Sequence, residues 1–293
     1  MEPILFINRK SKKKIEEKPP SANFLNFLYS HPFGKLGLNL LFKRKLVSAV
    51  GGWYMNSKKS AKRVDQFIRD HKMDMTDYLV PENGFQTFNE FFYRKIAEGS
   101  RPLGYGIICP ADGKVLAFEN IEKSQDFFIK GSLFNLRSFL NSEKLAQKFH
   151  KGAMLIIRLA PTDYHRYHFP CDGLAGKSIE INGHYLSVSP IALRRSLDIF
   201  LKNKREYMEL QTEKQGDILI CDVGATMVGT IIQTYKPGAR VKKGEEKGYF
   251  AFGGSTLVLL FEEGKISFSA DLIENTRLGF ETEVKMGESI EEL

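Results

Sequence analysis

The chain has 293 residues, 42% of them apolar and 27% charged, with a formal net charge of +8. That length can bury a full core, and the balance argues against wholesale disorder. The three cysteines, Cys109, Cys171 and Cys221, lie far apart and form no CxxC pair, which argues against a disulfide framework or zinc ribbon and fits a reducing compartment.

The charge is concentrated at the start. Residues 1–63 carry 14 Lys/Arg against 3 Asp/Glu, whereas the remainder carries 29 against 32. Residues 4–7 (ILFI) are too short for the apolar core of a secretory signal. Residues 9–20 (RKSKKKIEEKPP) read as a solvated leader ended by Pro19-Pro20. Residues 23–54 then turn rich in Phe and Leu, are broken by Pro32, Gly34 and Gly37, and carry Lys43-Arg44-Lys45 and Trp53. Short apolar helical pieces beside cations suit a membrane surface, although a pair of ordinary packed helices fits the same pattern. No stretch approaches the roughly 18 apolar residues of a membrane span.

Further along, Thr87-Phe88-Asn89-Glu90 fits a capping box, and Phe88, Phe91, Phe92 and Ile96 follow at helical spacing as candidate core. Strands are predicted over 111–118, 153–159, 179–181, 218–223, 226–233, 256–261 and 265–269, with helices over 136–149 and 190–203. The sum is an α+β chain with a largely antiparallel β core and a helical, basic N-terminal region. The expected division is a membrane-surface region, 1–80, and a catalytic domain, 81–293.

Three segments concentrate reactive groups. Asp112, in Pro110-Ala111-Asp112-Gly113, sits in a turn entering a strand, and by itself is ordinary turn chemistry. Asp163-Tyr164-His165-Arg166-Tyr167-His168 follows a buried strand, a common place for functional groups. Two of the chain's six histidines stand there, three residues apart beside Asp163 and Arg166, which favours acid–base work. Arg166 and the lack of a suitably spaced ligand set disfavour a metal. Finally, Gly253-Gly254-Ser255-Thr256 precedes an apolar strand. By itself it reads as a glycine-containing hairpin or bulge with a Ser/Thr lip, and it lacks the Lys and following helix of a phosphate loop.

With Phe88-Asn89-Glu90-Phe91-Phe92, Pro190-Ile191-Ala192-Leu193 and Lys243-Gly244-Glu245, these segments occur in an order that resembles the phosphatidylserine decarboxylase family across most of residues 86–260. One departure is Gly253, where the commoner family motif has Leu before Gly-Ser-Thr. The resemblance implies that Ser255 attacks the preceding Gly254 carbonyl, with His168 as base and Asp112 orienting it. The break at Gly254–Ser255 would yield a β chain, 1–254, and an α chain, 255–293, opening with a covalent pyruvoyl group derived from Ser255. That group would form an imine with the amine of phosphatidylserine and act as the electron sink for loss of CO₂, giving phosphatidylethanolamine. His165 matches a residue that handles protons or the departing carboxylate. The expected partners are phosphatidylserine in anionic membranes and the two cleavage chains as a heterodimer, with room for a homodimer of heterodimers and no nucleic acid. The expected location is the cytoplasmic side of the cell membrane, peripherally bound.

Rival readings are a serine hydrolase triad, a pyruvoyl enzyme of soluble amino acids, and a membrane-anchored β scaffold. The first lacks a G-x-S-x-G elbow.

Overall fold

The computed structural model describes residues 4–17, 51–122, 135–184, 203–224, 231–251 and 255–292. Most of the apolar basic stretch 23–54, the 190–203 helix, residues 226–230 and Gly253-Gly254 lie outside them.

The start of the chain corrects the leader reading. β1 (Ile4–Asn8) turns back into β2 (Lys14–Glu17), and β1 pairs in parallel with β14 (Glu281–Val284). The physical reason is pairing of both charge and apolar side chains. Ile4, Phe6 and Ile7 are buried, Arg9 bonds Asp271 at 2.8 Å, and Glu17 meets the buried Arg158 at 2.6 Å. A run rich in cations is thus tied down by carboxylates distant in sequence.

The remaining strands are largely antiparallel. β3 (Gly113–Phe118), β4 (Met154–Leu159), β9 (Asp217–Gly224) and β13 (Ser255–Phe261) form the centre of an 11-stranded sheet, in the order β9-β13-β4-β3-β14-β1-β2. Beyond β9 come β8 (Arg205–Gln211), β6 (Gly173–Ala175) and β11 (Arg240–Val241), with β7 (Ile179–Ile181) also on β8. A second sheet has the order β10 (Ile231–Gln233), β12 (Glu246–Phe250), β5 (Arg166–His168).

Alternation sends each strand's side chains to two cores. Val115, Ile157, Leu257 and Leu259 meet Tyr167, Phe169 and Phe250 of the small-sheet side. Leu116, Ile156, Val258 and Leu260 meet Phe139, Leu140 and Phe149. Each such Leu or Ile contributes roughly 1.5–3 kcal/mol by leaving water. The predicted 136–149 helix is two short ones, α3 (Leu136–Leu140) and α4 (Glu143–Lys148), because Asn141 adopts φ +49° between them. No strand forms over 265–269. Phe268 makes a single bridge to Glu291, and α5 (Ala270–Arg277) follows.

Residues 51–97 build a smaller cluster. α1 (Val64–Asp70) and α2 (Phe88–Phe92) pack Phe67, Phe88 and Phe91 edge to face at 5.4–5.8 Å. The predicted cap on α2 is present, with the Glu90 N–H donating to Thr87 Oγ1 at 3.0 Å, while the Glu90 carboxylate reaches Gln86 N instead of Thr87. Trp53, 75% exposed, projects from this cluster, and no helix among the described residues is long and apolar enough to cross a membrane.

Candidate active site

β4 lies between β3 and β13 and runs antiparallel to both. Its C-terminal end at Leu159 is therefore flanked by the starts of β3 and β13. Ser255 pairs with Leu159 on one side and Gly224 on the other. With strands about 4.8 Å apart, the start of β3 stands roughly 10 Å from Ser255. The chain leaving Leu159 carries the 160–165 loop into β5. The His168 amide then donates to Pro110 O at 2.8 Å, and the His165 carbonyl accepts from Phe250 N at 2.9 Å. Topology alone brings Asp112, the two histidines and Ser255 to one end of the sheet.

Ser255 is fully buried, and its Oγ has no hydrogen-bond partner among the described residues. The residues before it, including the glycines of the Gly254–Ser255 bond, lie outside those residues.

His168 is fixed by two bonds. Its Nδ1 sits 2.9 Å from the Gly244 carbonyl, which can only accept, so Nδ1 carries the proton. Nε2 then accepts from the Tyr164 hydroxyl at 3.0 Å. Gly244 turns its carbonyl there from φ +82°, a left-handed conformation that favours glycine. Burial pushes the imidazole's pKa down, against the upward pull of the Gly244 bond and of nearby carboxylates. A neutral imidazole with a lone pair on Nε2 is a base in waiting.

Asp112 is wholly buried and does not bond His168, although its charge acts on that ring. Instead Arg101 grips both carboxylate oxygens at 3.1 and 2.8 Å, the Met286 amide donates at 2.8 Å, and Lys285 stands 3.4 Å away. Burial would raise the Asp112 pKa, but the Arg101 bonds and the charges of Lys285 and Arg101 outweigh it and hold the carboxyl below its ordinary value.

His165 is the more secluded imidazole. It is fully buried, packed against Phe92 with ring centroids 3.7 Å apart, and donates from Nδ1 to Asp163 O at 3.0 Å. Nε2 is left without a partner among the described residues. Burial drives its pKa down to about 3, helped by Arg94 and Lys114. The loop that presents it is pinned by Lys114, which bonds both Asp163 oxygens at 2.8 and 3.0 Å.

Sequence reasoning named Asp112, His165, His168 and Ser255 but missed Arg101, Lys285 and the Gly244 carbonyl. Tyr164 stood inside a quoted motif without a role. A further group was also missed. Lys247 is the extra residue of a β-bulge opposite His168 and Tyr167, which turns it inward to Asp222 at 2.5 Å. Both are fully buried, and Gln233 completes the set. Gly248, beside the bulge, has no room for a side chain, since a Cβ would lie 2.2 Å from Ile232 O.

The chain is similar to known proteins over nearly its whole length. The family model described as phosphatidylserine decarboxylase matches residues 88–292. A protein of Fusobacterium nucleatum is 47% identical over 98% of this chain and 97% of its own length. Relatives from Clostridium novyi and Clostridium botulinum are 44% and 42% identical, each over 98% of both chains. All three carry the name phosphatidylserine decarboxylase proenzyme.

Proposed function

The chain belongs to the phosphatidylserine decarboxylase family, and on that footing we propose that it is the precursor of a self-processing enzyme that converts phosphatidylserine to phosphatidylethanolamine. The carrying observation is Ser255. A fully buried hydroxyl without a partner among the described residues opens an interior strand at the sheet end that also holds two neutral imidazoles and an ionised carboxylate.

In maturation, His168 takes the Ser255 proton through Nε2, once the Tyr164 hydroxyl yields that lone pair, and Oγ attacks the Gly254 carbonyl carbon. The amide at that bond becomes an ester. The base then removes the Ser255 α-proton, and Gly254 departs as a carboxylate. The dehydroalanine left at position 255 rearranges to an imine, and water hydrolyses it to a pyruvoyl group, supplying the keto oxygen as ammonia leaves. Asp112 offsets the positive charge of His168 across space rather than through a hydrogen bond, with Arg101 keeping that carboxylate in place.

When formed, the pyruvoyl group supplies an electron sink for the pair released with CO₂. The chain's own residues do the rest. His165, neutral and enclosed by Phe92, offers Nε2 for a proton beside the reacting carbon, and its seclusion keeps water away. The buried hydroxyl and the paired neutral bases fit a site that builds such a group. The products 1–254 and 255–293 stay together as a heterodimer. The basic N-terminal region, with the exposed Trp53, holds the enzyme peripherally at an anionic membrane.

Denaturing mass spectrometry tests this directly. The expected result is two pieces in place of one 33.4 kDa chain, a carbonyl-reactive end on the smaller, and an intact, inactive Ser255→Ala. Turnover that survives hydroxylamine or borohydride would sink the reading. Flotation with phosphatidylserine vesicles, and not with neutral ones, tests the surface attachment.

A further inference from the structure

We propose that the groove beside the catalytic loop is the subsite for the phosphodiester of the lipid headgroup, with Arg94 as the group that receives it. The groove holds about 530 Å³ and is lined by Leu79, Val80, Phe85, Lys95 and Arg94, with Arg166 on its wall. This inference rests on the decarboxylase reading and adds where the substrate's charge is held.

Arg94 differs from the other arginines near the site. Arg101, Arg158 and Arg166 each have a carboxylate within ion-pair reach, at 2.6, 2.6 and 2.9 Å. Arg94 is 2% exposed and has no carboxylate partner among the described residues. It lies 4.1 Å from the Tyr78 ring centroid and 5.1 Å from that of Phe91. Of the five N–H donors of a guanidinium, Nη1 reaches Phe91 O at 3.4 Å, and Nη2 reaches Thr162 O at 3.0 Å and Asp163 O at 3.3 Å. Nε reaches nothing described. An unneutralised buried cation is costly unless a counter-ion arrives.

Position decides which anion it awaits. The Asp163 carbonyl accepts from both Arg94 Nη2 and His165 Nδ1, so the Arg94 guanidinium and the His165 ring share one anchor. Phosphatidylserine carries its phosphodiester a short reach from the serine carbon that loses CO₂. The planar guanidinium fork matches phosphate oxygens. Around it the groove is amphipathic. Lys95 is exposed at the rim, and Leu79 and Val80, 53% and 54% exposed, offer an apolar lip to the glycerol and first acyl carbons. The two other charges on the wall are already engaged, Glu90 by the Gln86 amide at 2.6 Å and Arg166 by Glu246. That leaves Arg94 and Lys95 to meet the ligand.

The test uses full-length protein matured in the cell, assayed on phosphatidylserine in mixed micelles with sn-glycerol 3-phosphate as a competing probe. Arg94→Gln is expected to process normally, because cleavage involves no headgroup. Its KM should rise about 10–100-fold, a larger change than any in kcat, as expected for losing one charged hydrogen-bonding partner. Inhibition by glycerol phosphate should vanish with it, and Arg94→Lys should restore part of both. Unchanged KM and inhibition, or free serine competing as well as glycerol phosphate, would overturn the assignment. Should Arg94→Gln not fold, Lys95→Gln at the exposed rim decides, with a KM rise of about 3–10-fold expected and no change overturning the proposal. Failure of the decarboxylase reading would look different, since the wild-type chain would then stay whole and release no CO₂.

Discussion

Within its seven residues β13 passes from one kind of interior to another. At the Phe261 end its neighbours are Leu155, Ile218, Leu219 and Ile220, all fully or almost fully buried. At the Ser255 end, Ser255, Thr256, Lys114, Arg158, Asp112 and His165 are just as buried. The side chains of the apolar end are held by burial and tolerate volume-conserving change. The polar end is held by specific partners, and each missing one costs about 1–3 kcal/mol. Among the described residues, buried atoms without partners include Ser255 Oγ, Thr256 Oγ1, His165 Nε2 and Arg94 Nε at that end. The polar end thus gives up stability for buried groups that the fold leaves unpaired.

The contrast can be broken hardest at Arg101. Arg101→Met strands the Asp112 carboxylate in the interior, with a stability loss of about 3–5 kcal/mol and processing slowed by at least about 100-fold. Urea unfolding and mass spectrometry read the two effects, and a change under about 1 kcal/mol would mean that Lys285 and the Met286 amide suffice.

Arg101 also marks where sequence reading stops. Asp112, His165, His168 and Ser255 were legible because motifs carried them, and β4 and β13 because long apolar runs bounded by loops have few other readings. The α2 cap was legible because it is local. Arg101 in Ser-Arg-Pro gave no sign, since its partner is chosen by the fold. The Gly244 carbonyl is backbone and has no side-chain signature. Lys247 is plainly a surface lysine in sequence, and only a bulge in β12 turns it inward. Arg9 and Glu17 looked like a solvated leader because Asp271 and Arg158, the charges that tie them down, are remote in the chain.

A smaller effect follows from His165. Its folded pKa, about 3, lies below its unfolded value of 6.5, so between these values the unfolded chain binds a proton that the folded one refuses. Stability is therefore full above pH 6.5 and falls as the pH drops toward 3, at up to about 1.4 kcal/mol per pH unit. Urea midpoints between pH 7 and about 5, where carboxylates with ordinary pKa values near 4 stay ionised, should show a shallower slope in His165→Gln. Parallel slopes would place that imidazole in water.

The smallest change belongs to the apolar end. Leu260→Met, which keeps volume, should cost under about 1.5 kcal/mol and leave the yield of processed chain untouched. Lost processing would show that the two ends of β13 are not independent.

The position of β13 has one more consequence. It is hydrogen-bonded on both sides, to β4 and β9, and the piece that follows it supplies β14 between β3 and β1. Severing the backbone before Ser255 therefore frees nothing, because extracting the shorter product would bare ladder groups along four other strands at once. On the proposed cleavage, the two products would therefore stay joined through the shared sheet. Under the proposed self-processing, each molecule would then have a single attempt at arming itself.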